Sequence, residues 1–88
     1  MTQEIENFIM YMHEERHTSE NTELSYERDL KKLCQFLAEQ DMEDVERISE
    51  TMLNSYILYL EKQGLSTATV SRNVASMKAF FHYACKSH

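Results

Sequence analysis

Apolar side chains return every third or fourth residue along nearly the whole chain, and proline, which would break such a rhythm, is absent. That spacing is the mark of an amphipathic helix, because 3.6 residues complete a turn and residues three, four and seven apart share a face. Ile5, Phe8, Ile9 and Met12 predict a first helix over residues 2–16. Tyr26, Leu30, Leu33, Cys34 and Leu37, widened by Phe36, predict a second that opens at SENT (19–22) and runs to about residue 40. Met52, Leu53, Tyr56, Ile57 and Leu60 give a third. Val70, Val74, Met77, Phe81 and Ala84, widened by Phe80, give a fourth. Between the second and third, DMEDVERIS reads as a connector with Val45 and Ile48 tucked against the core.

Helix-boundary chemistry agrees. Ser49 stands where an N-cap hydroxyl would open the third helix, and Gly64, the only glycine, stands where a left-handed residue would close it. Ser66 then opens the fourth, with Leu65 and Val70 at the spacing of a hydrophobic staple. The second and fourth helices both open with S-x-x-T, SENT and STAT. Capping alone accounts for both, yet each also sets hydroxyls beside free backbone N–H groups, which suits an anion such as phosphate. Four helices joined by short connections make an all-α, compact four-helix bundle.

With 88 residues the chain suits one domain. Cys34 and Cys85 lack metal-like spacing and read as free thiols of a reducing compartment. Thr2, Gln3 and Glu4 do not begin a signal peptide, and no apolar run is long enough to span a bilayer. A soluble cytoplasmic domain, monomeric when isolated and without membrane association, is the expectation.

Charge is unevenly placed. All 15 Asp and Glu lie in residues 1–61 with five of the nine Lys and Arg, a net of −10; residues 62–88 carry only Lys62, Arg72, Lys78 and Lys86, a net of +4. A polyanion responds to the field of one face, not to the molecular total of −6. Charge alone does not decide between a DNA-binding flank and an ordinary solvated helix.

The order of the residues resembles the N-terminal core-binding domain of the tyrosine recombinase, or phage integrase, family. The resemblance rests on Ser19, Asn21 and Thr22, then Tyr26, Asp29-Leu30 and Phe36-Leu37, then GLS at 64–66, Thr69, Arg72, Ser76 and Phe80-Phe81, in that order and at those intervals. It departs from the family pattern at Thr18, where a leucine is common, and at Glu27, where a basic residue is common. The resemblance implies a SAM-like bundle, with helices 2 and 4 facing the major groove of duplex DNA. It also implies a catalytic domain of the same parent chain, beyond residue 88, that closes on the opposite face, and contacts with neighbouring recombinase protomers.

On that reading Ser66, Thr67 and Thr69 are expected to meet phosphate oxygens, Arg72 and Lys78 phosphates or base edges, and Asn73 a base edge. Periodicity puts Arg72 opposite the apolar stripe, Thr69 and Ser76 near the same outer face, and Ser71, Asn73 and Lys78 on its flanks. On helix 2 the expected contacts are Asn21, Thr22, Ser25, Arg28 and Lys32, with capping an equal reading for Asn21. Lys31 can pair with Glu27 and Lys32 with Asp29, whereas Arg28 has no acid three or four residues away. Tyr26 is expected in the core. No cofactor or metal is expected: HEERH (13–17) has the H-E-x-x-H spacing of a zinc site but lacks a matching third ligand, and His17 falls where the first helix should end. The tyrosines lack the Arg and His cluster needed to attack a phosphodiester, so no catalytic residue is expected in this chain, although the parent would cleave and rejoin strands. The other open reading is a small helical protein–protein interaction module that uses the acidic first two-thirds.

Overall fold

The computed structural model describes residues 2–42 and 47–86, with side chains as far as residue 84. Val45 and the Cys85 side chain, both assigned roles above, lie outside the described residues. Four helices follow in chain order: α1 (Thr2–Glu15), α2 (Glu20–Ala38), α3 (Glu50–Lys62) and α4 (Thr67–Lys86). Among the described residues there is no strand, and no helix is long and apolar enough to cross a membrane. The radius of gyration, 12.6 Å, is near the ~12 Å of a well-packed chain of this length.

The core follows one repeated spacing. Ile5, Phe8 and Met12 of α1, Leu30, Leu33 and Leu37 of α2, and Met77, Phe80 and Ala84 of α4 are all buried, each trio at i, i+3, i+7. Tyr56 and Leu60 of α3 complete the interior. Packing runs α1 on α2, and α4 on α1, α2 and α3, so the last helix touches all three others. Aromatic edges reinforce these seams. Phe8 meets Phe80 edge-on at 5.6 Å, and Phe36 of α2 packs on Tyr56 of α3 at 5.1 Å.

The expected boundaries hold to within two residues. Ser49 Oγ accepts the Met52 N–H at the start of α3. Gly64 follows the C-cap of α3 at φ +79°, where a β-carbon would find space but an unfavourable backbone. Leu65, Val70 and Ile48 are half-buried against the core, as their spacing indicated, and so is Tyr26. Cys34 is a free thiol.

One helix departs from its sequence reading. The inward face of α4 centres on Phe80, Met77 and Ala84 and includes Asn73 and Ser76, while Val70, Val74 and Phe81 are half-buried at its margin. Relative to the purely apolar stripe the helix is turned by about 60°, counting 100° per residue. The cause is polar: α2 buries a carboxylate, Asp29, and α4 turns to meet it.

Tyr56 illustrates how little slack the interior has. Its ring is fully buried and its hydroxyl has no hydrogen-bond partner among the described residues. Burial first, and the nearby Asp29 charge second, push the phenol far above its ordinary range. The native state therefore keeps Tyr56 neutral where the unfolded chain would ionise it. A raised folded pKa gives stability that is complete below the unfolded value, about 10, and is lost as pH climbs beyond it. Tyr56→Phe should match or slightly exceed the parent at pH 7, because no partner is lost. Above pH ~10 it should lose stability less steeply, by up to about 1.4 kcal/mol per pH unit. Urea melts at several alkaline pH values check this; parallel curves would refute it.

Candidate nucleic-acid interface

The repeated S-x-x-T of the sequence is a repeated structure. At α2, Ser19 Oγ accepts the Thr22 N–H at 3.2 Å and donates to Thr22 Oγ1 at 2.9 Å. At α4, Ser66 Oγ accepts the Thr69 N–H at 3.2 Å and donates to Thr69 Oγ1 at 3.0 Å. Each serine thus caps the helix and saturates one side of the threonine. The threonine hydroxyl keeps its own proton, for which no acceptor is found among the described residues. Ser66 and Thr67 are exposed, and Thr22 and Thr69 are half-exposed.

The two helix openings differ electrically. Glu20 and Glu23 sit in the first turn of α2, while the first turn of α4 has no acid. Glu23 is engaged, accepting from Thr18 Oγ1 at 2.8 Å and lying 3.2 Å from His13 Nδ1. The positive end of the α4 dipole is therefore the less neutralised of the two. An approaching phosphate would find α4 the better terminus.

Where α2 and α4 cross, a polar knot joins them. Asp29 is 5% exposed. Arg72 Nε donates to its Oδ2 at 2.9 Å and Nη2 donates to its Oδ1 at 3.0 Å, a bidentate pair. Ser76, wholly buried, donates to Asp29 Oδ2 at 3.2 Å and lies 3.0 Å from the Arg72 carbonyl. These bonds offset the cost of burying a carboxylate. They also raise the Arg72 pKa above its already high value, the hydrogen bond to Asp29 first and the Asp29 charge next. The Arg72 side chain remains 44% exposed, with Nη1 outside the bidentate pair.

Several expectations are corrected here. Arg72 does not stand opposite the apolar face; it lies beside it, reaching across to α2. Ser76 is an interior residue rather than an outer one, because Asp29 needs a donor there. Asn73 is 3% exposed, with Nδ2 donating to the Thr69 carbonyl at 2.9 Å and Oδ1 buried without a partner among the described residues. Enclosed on the inner face of α4, it is not available to a base edge. Lys32 has no ion pair with Asp29, whose oxygens Arg72 holds. Lys31 does pair with Glu27, at 3.7 Å.

The remaining residues form two rows. Thr22, Ser25, Asp29 and Lys32 lie on one face of α2 by helical spacing, and Thr69, Arg72 and Ser76 lie on one face of α4. The rows meet at the Asp29–Arg72 pair. Asn21 and Arg28 are exposed on the flank of the α2 row, and Lys78 is exposed on the outer side of α4. Asp29 was the residue whose role the sequence reading missed. Its signal was available: an acid directly before a buried leucine, at the edge of a leucine stripe, needs a cation from another element.

His13 and His17 do not form a pair one turn apart on a helix. α1 ends at Glu15, and His17 has a left-handed backbone at φ 51°. No cluster of three metal-ligating side chains occurs among the described residues.

The family model described as phage integrase, N-terminal SAM-like domain, matches residues 5–88. The chain is 36% identical over 80 residues to tyrosine recombinase XerD of Oceanobacillus iheyensis, covering 90% of this chain and 27% of that protein. It is 31% identical over 88 residues to tyrosine recombinase XerC of Herpetosiphon aurantiacus, covering all of this chain and 29% of the relative. With XerC of Listeria monocytogenes the identity is 32% over 91 aligned positions, again across the whole chain and 30% of the relative. The chain thus spans less than a third of the curated relatives it matches. No solved structure matches it. An all-helical bundle closed by α4, with a family match across almost its full length, belongs to the N-terminal SAM-like domain family of the phage integrases and tyrosine recombinases.

Proposed function

We propose that this chain is the DNA-binding, N-terminal part of a tyrosine recombinase. It holds duplex DNA with α2 and α4 toward the major groove, and strand cleavage and rejoining belong to a catalytic domain of the parent protein. The observation that carries the reading is the pair of matched Ser–Thr openings on α2 and α4, whose rows are tied together at Asp29–Arg72. The absence of any carboxylate from residues 62–88 supports it, since acids there would repel phosphates.

In this reading Thr67 and Thr69 donate to phosphate oxygens beside the α4 terminus, with Ser66 holding the Thr69 hydroxyl in place, and Thr22 and Ser25 do so more weakly beside an acid-bearing one. Arg28, Lys32 and Lys78 supply mobile positive charge. Arg72 offers its free edge from a fixed position. Asn21 remains a flanking contact. Neighbouring recombinase protomers would be secondary partners. One clamp half should bind weakly alone, because tethering to a second DNA-binding domain raises the effective concentration.

Titrating the chain with a mixed-sequence duplex at several salt concentrations tests this. Binding should weaken along a straight line in log–log form, with a slope of about −0.9 per phosphate neutralised. Arg28→Ala and Lys78→Ala should each make that slope shallower by about 0.9 without lowering the melting temperature. Binding that ignores salt, or variants with the parental slope, would remove DNA from the reading. A helical protein–protein interaction module would then be the better description.

A further inference from the structure

A concavity of the described surface lies away from the α2–α4 crossing. It is a groove of about 710 Å³ between α1 and α4, within the ~300–1,000 Å³ range of small-ligand clefts. Its floor is aromatic. Phe8 is buried beneath it, and Tyr83 packs on Phe8 at 5.5 Å and on Tyr11 at 4.9 Å, the two tyrosine rings inclined at 52°. Tyr11 is 37% exposed, so part of its ring is open to a ligand. Arg16, Lys78 and His82 also line the groove, and no carboxylate does among the described residues. Lys78 and His82 are one turn apart on α4, and Arg16 follows the end of α1. Glu14 and Glu15 line an adjoining, more open groove that shares Tyr11 and Tyr83.

Aromatic rings beside cations, with no acid among the described lining residues, is the chemistry that receives an unstacked nucleobase and its phosphate. Bases lie against ring faces, while the backbone follows positive charge. We propose that the α1–α4 groove binds a short single-stranded stretch of nucleic acid, one base against the open face of Tyr11 and the adjoining phosphates toward Arg16 and Lys78. The choice of nucleic acid over an acidic peptide rests on the proposed function. A reaction that exchanges strands must part them from their complements, which provides the unpaired nucleotides. The groove shares Lys78 with the proposed duplex face but no residue of the Ser66–Thr69 terminus, so Tyr11 and Arg16, which the duplex reading does not use, tell the two contacts apart. A pyrimidine strand with weak self-stacking should fit better than a duplex, whose bases are already stacked.

The test uses this chain and a fluorescently labelled oligothymidylate of about ten nucleotides, within the site sizes known for single-strand binders. Anisotropy reads binding. Tyrosine emission reads the stacking, undisturbed by tryptophan, which the chain lacks. Tyr11→Ser should weaken the oligothymidylate by roughly five- to a hundred-fold and abolish most of the tyrosine quenching. Arg16→Ala should make the salt slope for the single strand shallower by about 0.7. Neither change should alter duplex binding, which Arg28→Ala reports. If duplex binding fails while the oligothymidylate still responds to Tyr11→Ser, the groove stands and the major-groove reading falls. Equal affinity of the parent and Tyr11→Ser for oligothymidylate overturns the proposal. So does equal weakening of single strand and duplex, or binding of poly-glutamate in place of the oligonucleotide.

Discussion

Arg72→Ala is expected to cost the chain roughly 2–4 kcal/mol. Breaking a buried ion pair usually costs about 3–5, and the exposed half of the Arg72 side chain already shares its charge with water. The loss falls on Asp29, left 5% exposed with only the Ser76 hydroxyl as donor. For 88 residues total stability is on the order of 4–13 kcal/mol, so the variant should melt well below the parent. Asp29→Leu combined with Arg72→Met should recover much of that loss, because hydrophobic replacement of a whole buried pair is often neutral or better. Thermal melts of the two singles and the double complete the cycle. Additive losses would show that the pair is not coupled. The recovered double variant is also informative about function. It restores the fold while removing the guanidinium, so a deficit in duplex binding that persists in it belongs to Arg72 as a contact and not to instability.

Phe80→Ala should be the most damaging single truncation on α4, at about 3–5 kcal/mol. The ring is fully buried between Phe8 of α1 and Phe81 of its own helix, with centroid separations of 5.6 and 5.1 Å. Its loss opens a void at the seam of α1 and α4. Phe81→Ala, by contrast, removes a half-buried ring at the edge of the α3–α4 groove and should cost less than half as much. Urea midpoints with an unchanged m-value would measure both. Reversal of that order would restore the face that apolar spacing alone assigned to α4.

That contrast marks the limit of what the sequence made legible. Three of the four helices could be read almost completely, because apolar residues dominate their inward face, with Asp29 of α2 the one buried polar side chain there among the described residues. α4 could not, because its inward face contains Asn73 and Ser76, and a pattern that sends polar side chains outward places it askew. The missing information was tertiary: Asp29 sits in the margin of the α2 stripe, and only packing reveals which cation meets it. The same gap misplaced Asn73 as a base reader. Local chemistry travelled better. Ser19, Ser49 and Ser66 cap their helices as written, because a cap needs only residues three positions apart. Family order pointed to the Ser–Thr rows of α2 and α4. The α1–α4 groove escaped because its tyrosines looked like ordinary core residues and its cations come from helices far apart in sequence.

The contacts of α4 with all three earlier helices carry a consequence for how the molecule is made. During synthesis α1 and α2 can pair as soon as they leave the ribosome, but their buried leucine and phenylalanine positions have no lid until residues 67–86 follow. At ordinary elongation rates the stretch from the end of α2 to the end of α4 takes about 2–10 seconds, an interval in which a sticky hairpin is open to chaperones or to another nascent chain. Translation that stalls before α4 should therefore yield an aggregating product rather than a smaller working domain.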